Sequence, residues 1–144
     1  MRDLMNTLTP KPVIAPQAAF TGNTARVGSI IDHRGFDSAM YSIHAGALDS
    51  GSPTMFFTVL LEEGDDASLS DAAAVADDDL IGTEALASFT GADSNKCFKL
   101  GYRGSKRYTR LTITPSGNTT SSNYFSAECM LGHADAEPTA NPPA

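Results

Sequence analysis

The side chains best suited to chemistry in this sequence are its histidines and cysteines, and they are scattered. His33, His44 and His133 stand far from one another and outside any catalytic motif. Residues 101–105, GYRGS, lack the glycine that follows the serine in a G-x-S-x-G nucleophile elbow. We therefore predict no catalytic residue and no enzyme. His44 falls on the polar face of a predicted strand, where a surface or interface role is commoner than catalysis. A triad assembled in space from distant residues stays open.

The two cysteines are expected to be structural. Cys97 and Cys129 both lie in segments of alternating apolar residues, which predicts buried free thiols. A disulfide is the less favoured alternative, because the start of the chain lacks the apolar core of a signal peptide and a reducing cytoplasm is expected. Neither cysteine has a close His or Cys to complete four zinc ligands. No metal or other cofactor is predicted.

An acidic segment is the second candidate for chemistry. Residues 62–84 hold nine acidic residues and no basic one. Calcium binding is one interpretation, because hard cations prefer several oxygen ligands. The spacing does not fit the twelve-residue calcium loop, so we favour a long solvated loop with at most one helical turn. A loop of this length usually covers something or contacts a partner.

The basic residues gather further along the chain, around residues 100–115, LGYRGSKRYTRLTITP. Apolar residues alternate on both sides of Gly104 and Ser105, which predicts two strands joined by a turn as a β-hairpin. Six of the ten Lys and Arg residues lie in or beside this segment. The alternation places most of them away from the core.

We predict that the basic and acidic groups form an interface. They could meet within the chain or between neighbouring copies, where charge complementarity sets orientation and partner choice. The alternative is a solvated strand face, since exposed ion pairs stabilise a protein by only ~0–1 kcal/mol each. The candidate interface residues are Lys99, Arg103, Lys106, Arg107, Arg110, Asp65, Asp66, Asp77, Asp78 and Asp79.

Length and charge restrict the class of protein. A chain of 144 residues is expected to form one domain. Its net charge of -7 argues against nucleic-acid binding, which requires a basic face. A membrane-spanning helix needs an apolar run of about eighteen residues, and the sequence predicts none.

The apolar periodicity predicts an all-β fold. Short alternating segments, separated by turn-forming residues, include 39–47, 55–62, 96–100, 107–114 and 124–132. Six or seven short strands without a long helix or a repeat are typical of an antiparallel β-sandwich or a flattened barrel. The segment 55–62 is apolar on both faces. We expect it in the middle of a sheet, with each side covered by a loop or by another subunit.

Prolines mark both ends of the predicted domain. Residues 1–16 contain three prolines and are expected to form an extended N-terminal arm, lying on the domain or on a neighbouring subunit, with a partly disordered terminus as the alternative. Residues 17–133 are expected to form the sandwich. Residues 134–144 are expected to be a flexible Pro-rich tail.

Three stretches together resemble a family of phage proteins. They are FTVLLEEGDDASLSDAAAV (57–75), DLIGT (79–83) and KLGYRGSKRYTRLTIT (99–114). In this order they resemble small proteins encoded beside the capsid genes of tailed bacteriophages and prophages, over residues 36–131. The resemblance implies a virion protein, and foremost a capsid decoration or cement protein.

That resemblance also implies partners and a location. Decoration proteins bind the outer surface of the major capsid protein shell, often as trimers, so we expect the major capsid protein and a homotrimer as partners, without nucleic acid or membrane. The protein would be made in the host cytoplasm and would end on the capsid surface of the virion. A head-tail connector or tail-tube ring component is the alternative. A carbohydrate-binding sandwich ranks third, because it needs exposed aromatic residues and the sequence has no Trp and four Tyr.

Overall fold

The alternating segments form strands in the computed structural model, which describes residues 3–17, 19–48, 54–117 and 121–140. Two antiparallel sheets of five and six strands pack face to face as a sandwich that does not close into a barrel. The all-β prediction is confirmed, and of its two alternatives the sandwich is correct.

Within the described ranges, six strands have seven to ten residues and five have two. The long strands are β1 (Leu8–Ile14), β4 (Phe36–Ala45), β5 (Phe56–Gly64), β9 (Lys96–Tyr102), β10 (Tyr108–Ser116) and β11 (Phe125–Ala134). The short strands are β2 (Arg26–Val27), β3 (Ile31–Asp32), β6 (Ala73–Ala74), β7 (Leu80–Ile81) and β8 (Phe89–Thr90). A 3₁₀ turn at Asp77–Asp79 and a single-turn helix, α1 (Glu84–Ala87), lie between β6 and β8.

The strand order places the longest strands at the centre of each sheet. The five-stranded sheet has the order β1-β11-β4-β9-β7. In the six-stranded sheet β10 and β5 pair along their whole length, β2 and β3 pair with the far side of β10, and β6 and β8 pair with the far side of β5. Because side chains alternate across a strand, each sheet turns one apolar set towards the other sheet.

The core lies between these two apolar sets. Fully buried side chains come from both sheets, and they include Tyr41, Ile43, Leu100 and Leu131 on one side and Phe57, Val59, Leu61, Leu111 and Ile113 on the other. Burial of each such side chain stabilises the fold by about 1.5–3 kcal/mol. Core packing therefore fixes the orientation of the strands and, with it, which side chains point outward.

Strands β9 and β10 do not form the predicted hairpin. β9 pairs with β4 and β7 in one sheet, whereas β10 pairs with β5 in the other, so residues 103–107 cross from sheet to sheet. The alternation still places Leu100 and Leu111 in the core. Two strands require the same alternation of apolar and polar residues whether they are neighbours in one sheet or face each other across a sandwich. The Tyr102 hydroxyl accepts a hydrogen bond from the Lys106 amide at 3.0 Å and so anchors the crossing.

The N-terminal segment, expected as an extended arm on the domain or on a neighbouring subunit, lies on the domain as a strand of the sandwich. Its residues 8–14 form β1, which pairs with β11 at the edge of the five-stranded sheet. Pro10 and Pro12 are two residues apart, so their missing N–H donors fall on the same side of the strand. That side faces the open edge, away from β11. Proline is therefore compatible with β1 in a way that the composition alone did not reveal.

The C-terminal segment is attached to the same edge. Strand β11 extends to Ala134, and the Thr139 amide and hydroxyl donate hydrogen bonds to the carbonyls of Asn6 and Leu8, each at 2.9 Å. Up to residue 140, the predicted flexible tail therefore runs back along the start of β1. Residues 141–144 lie outside the described residues.

The acidic segment connects the two sheets along their other edge. β6 pairs with β5 in the six-stranded sheet, and β7 pairs with β9 in the five-stranded sheet. Between β7 and β8 the Thr83 hydroxyl caps α1 by accepting the Leu86 amide at 3.1 Å. Within residues 62–84 one helical turn is present, the 3₁₀ turn at Asp77–Asp79, and strands β6 and β7 show that the rest is not the one long loop that was expected.

Candidate functional site

The sheet crossing at 103–107 brings the predicted basic residues next to acidic ones of the same chain. Lys106 Nζ lies 2.6 Å from Asp65 Oδ2. The Arg103 guanidinium donates to the Asp78 carbonyl at 2.8 Å. The proximity of Asp65 raises the pKa of Lys106. Of the two arrangements expected for these charges, contact within the chain is the one that the structure contains.

Two further arginines are paired in the same way. Arg107 donates two hydrogen bonds to the Asp32 carboxylate, at 3.0 and 2.8 Å, and this contact lowers the pKa of Asp32 to about 2. Arg110 donates two hydrogen bonds to Glu62 Oε2, at 3.1 and 2.9 Å, directly across the β10–β5 pair. These partners, Asp32 and Glu62, were not among the predicted interface residues.

The remaining predicted charges are dispersed. Lys99 is exposed on the outer face of the five-stranded sheet, opposite Ser42. Asp66 accepts hydrogen bonds from the amide and hydroxyl of Ser68, and the three residues 77–79 form the 3₁₀ turn. The ten candidate residues therefore do not make one surface. Their role in an interface stays a prediction, and internal pairing already occupies Arg103, Lys106, Arg107 and Arg110.

The outer face of the six-stranded sheet carries apolar side chains that the structure leaves open. Strand β5 lies in the middle of its sheet, as predicted, but only its inner face is covered. Val27, Phe56 and Leu60 are 61%, 50% and 36% exposed. Val27, Thr112 and Leu60 occupy one row across three strands. We call the outward side chains of Val27, Phe56, Thr58, Leu60 and Thr114 the Leu60 face.

One end of the same sheet is closed by the acidic loop at 65–72. Leu69 is only 5% exposed, and a methyl group placed on Gly64 would lie 2.9 Å from the Leu69 side chain and would collide with the Asp71 carboxylate. The Asp71 carboxylate holds the loop in this position by accepting the amides of Asp65 and Asp66, at 2.8 and 3.1 Å. The loop therefore limits the Leu60 face to the other end of the sheet.

A buried polar network lies near the sheet crossing. His33 Nε2 is 2.5 Å from Thr109 Oγ1, and Thr109 in turn bonds to the Tyr41 hydroxyl across the interior of the sandwich. Burial lowers the pKa of His33 to about 4 and raises that of Cys129, which contacts Tyr41, to about 12. A cavity of about 330 Å³ beside it is lined by His33, Phe36 and Tyr102 and by the crossing itself.

The cysteine prediction is right for one residue and wrong for the other. Both thiols are free, and Cys129 is buried as expected. Cys97 is exposed on the outer face of β9, because residues 98, 100 and 102 of that strand take the inward positions. Its neighbour across the sheet is His44 on β4. Sequence reasoning placed His44 on a polar face but expected Cys97 to be buried, so it did not pair the two residues.

Other candidate functions can be compared with the described residues. Tyr41, Tyr102 and Tyr108 are buried, and Tyr124 is 46% exposed, so the tyrosines supply one open ring rather than a flat aromatic platform. Among the residues with described positions, no three His, Cys, Asp or Glu side chains group closely enough to hold a metal ion. No helix in the described ranges has the length and apolar character needed to cross a membrane.

Comparison with known proteins identifies the fold. No family model and no curated protein matches the sequence. A chain of the capsid of Ralstonia phage GP4 is similar in structure, with a TM-score of 0.50 and 10% identity, over 91% of this chain and 86% of that one. The xylan-binding module CBM15 has a TM-score of 0.49 and 10% identity, with 94% and 96% of the two chains covered. A protein of Bacillus endospore appendages, described as disulfide-linked pili, has a TM-score of 0.42 and 15% identity, with 92% and 96% covered.

At 10% identity the likeness to the phage capsid chain shows a shared fold and nothing more. The sandwich of this chain is one that a phage capsid chain also adopts along most of its length.

Proposed function

We propose that this chain is a structural virion protein of a tailed phage that binds the outer surface of the major capsid protein shell as a decoration protein. The observation that carries the proposal is the Leu60 face, an open apolar sheet face on a fold that a phage capsid chain shares over 91% of this chain. The sequence resemblance to small proteins encoded beside capsid genes supports the same assignment.

The Leu60 face has the chemistry of a protein contact. It combines exposed Val27, Phe56 and Leu60 with the hydroxyls of Thr58 and Thr114, and the Arg110–Glu62 pair borders it. An exposed apolar set of this kind marks an interaction surface more often than a scattered single side chain does. A stable interface buries about 1,200–2,000 Å² in total, so neighbouring loops must contribute as well.

Binding through a face also agrees with how the edge at β1 is built. Open edge strands can recruit further strands, but Pro10 and Pro12 remove donors from the open side of β1. The loop between β9 and β10 and the acidic loop are tied down by internal ion pairs. We assign the contact to the Leu60 face, with the major capsid protein and neighbouring copies in a homotrimer as the partners we propose.

Binding to isolated heads tests this proposal. Purified protein is added to heads that lack it, and bound protein is counted after sedimentation and located by electron microscopy. Saturable binding spread over the whole shell is the expected result. Binding confined to one vertex would replace the proposal with a connector or tail-tube ring component, and absence of binding would overturn both.

A further inference from the structure

Three side chains from three different strands meet on the outer face of the five-stranded sheet. His44 on β4 lies opposite Cys97 on β9, and its Nδ1 is 3.4 Å from Cys97 Sγ. On the other side of the imidazole, Nε2 is 3.4 Å from Glu128 Oε1 on β11 and 3.1 Å from Ser42 Oγ. We call Ser42, His44, Cys97 and Glu128 the Cys97 site.

The contacts define how the imidazole of His44 is used. A proton on Nε2 can be donated towards Glu128 and Ser42, which leaves Nδ1 to accept the thiol proton of Cys97. Once protonated, the imidazolium would be balanced by the Glu128 carboxylate at ion-pair distance. This is the order nucleophile, base and orienting acid that activates cysteine nucleophiles in general.

The surroundings allow a reagent to reach the sulfur. Cys97 is exposed, and the side chains of His44 and Glu128 are 43% and 37% exposed. Two lysines lie near the site, Lys99 on β9 opposite Ser42 and Lys11 on β1 in the groove beside His44 and Glu128. A groove of about 530 Å³ lies beside His44 and Glu128 and is lined by Lys11, Ile14 and the prolines at 10, 12 and 16. The groove includes His44 and Glu128 but not Cys97, so a reagent reaches the sulfur from the exposed outer face of β9.

The second cysteine provides a contrast within the same protein. Cys129 is fully buried, bonds to Tyr41, and has a pKa raised to about 12 by burial. A thiol of this kind reacts slowly, because the thiolate is the nucleophile and the site excludes both water and reagent. The structure therefore separates one accessible thiol beside a base from one inaccessible thiol.

We propose that Cys97 is a nucleophilic thiol that exchanges with small organic disulfides, with His44 as its base and Glu128 as a positioning residue. In the reaction Cys97 Sγ gives its proton to His44 Nδ1, and the thiolate attacks one sulfur of the disulfide. A new sulfur–sulfur bond forms at Cys97 while the bond of the reagent breaks. The departing thiolate takes up the proton from Nδ1, so that one thiol is released for each Cys97 modified.

The test uses 2,2′-dithiodipyridine, an uncharged disulfide, with the full chain in its reduced form. In the folded parent protein we expect one thiol to react with the reagent, and in folded Cys97→Ser we expect none. A second thiol of the parent protein should react only after unfolding. At pH 7 the rate should fall about tenfold in His44→Gln and less in Glu128→Gln, and the rates of His44→Gln and the parent protein should converge at alkaline pH, where any thiol ionises unaided.

Lys99→Gln is the matched control, because it removes a neighbouring positive charge without touching the imidazole. It should retain most of the rate at pH 7. The proposal is overturned when the pH–rate profiles of His44→Gln and the parent protein coincide, or when Lys99→Gln slows the reaction as much as His44→Gln. His44→Asn serves as a second variant, with the circular dichroism spectrum of each protein confirming that it is folded.

Discussion

Thr109 Oγ1 and Tyr41 Oη share a buried hydrogen bond that joins the two sheets through the centre of the sandwich. Thr109 belongs to β10 and is fully buried, and Tyr41 belongs to β4 and is fully buried as well. The same threonine hydroxyl also contacts His33 Nε2 at 2.5 Å. One polar atom therefore links a strand of each sheet with the turn that precedes β4.

Thr109→Val removes this hydroxyl while keeping the shape of the side chain. We expect the free energy of unfolding to fall by about 1–3 kcal/mol, because buried polar groups of Tyr41 and His33 lose a partner. Chemical denaturation at pH 7 measures the change. Thr109→Ser keeps the hydroxyl and should lose less, and equal stability of the valine variant and the parent protein would contradict the structural role of the network.

The same network makes stability depend on pH through His33. Burial lowers the pKa of His33 from 6.5 to about 4, so the folded protein keeps this side chain neutral where the unfolded chain protonates it. The stabilisation is therefore complete above pH 6.5 and is lost as the pH falls towards 4. Because His33 is partly exposed, we expect a loss of about 1–3 kcal/mol over this window.

Urea denaturation of the parent protein and of His33→Gln at pH 7, 5.5 and 4.5 isolates this contribution. The difference in unfolding free energy between the two proteins should shrink on acidification. The pKa values of Asp32 and Asp93 are each lowered to about 2. Their contributions to the free energy of unfolding are therefore lost below pH 4, outside the pH range assigned to His33. A constant difference between the two proteins would show that His33 is not the group that titrates.

The attachment of the acidic loop depends on Asp71. Its carboxylate accepts the amides of Asp65 and Asp66, and these bonds lower its pKa. Asp71→Asn should lower the melting temperature and speed amide hydrogen exchange at residues 65 and 66. Asp77→Asn removes the same charge from the exposed 3₁₀ turn and should do neither. Equal effects of the two variants would mean that net charge, and not the bonds of Asp71, controls the loop.

Strands β9 and β10 show how much of the fold could be predicted from the sequence. The alternation around Leu100 and Leu111 predicted two strands and their inner faces correctly. It could not predict their pairing, because the period of two is the same whether the strands share a sheet or face each other across the core. Only the long-range pairing of β9 with β4 and of β10 with β5 makes the difference.

The interface candidates show a second limit. Contact between opposite charges of the chain was one of the two expected arrangements, and Lys106 and Asp65 form such a pair. Asp32 and Glu62 were not predicted as partners, because strand pairing brings each of them to its arginine. The Cys97 site lay beyond sequence reasoning for the same reason. Its His44, Cys97 and Glu128 come from three strands, and no local spacing connects them. The polar-face position of His44 was the one available signal.

Two matched substitutions on opposite faces test the proposed contact between the Leu60 face and the shell. Leu60 and Met40 are 36% and 37% exposed, one on the outer face of each sheet. Leu60→Lys should weaken binding to heads at least tenfold, because a desolvated charge would enter the proposed contact, whereas Met40→Lys should bind as the parent protein does. Both variants should melt within a few degrees of the parent. The reverse result would assign the contact to the five-stranded sheet.

The number of copies in purified particles is the most direct test of the proposed function. Quantitative mass spectrometry of purified particles of a phage whose genome carries the gene for this chain, calibrated against the major capsid protein, gives that number without any substitution. The account predicts hundreds of copies per particle, as expected for a protein repeated over the whole shell. Six or twelve copies would indicate a ring at the head-tail junction instead, and complete absence from the particle would contradict a virion role.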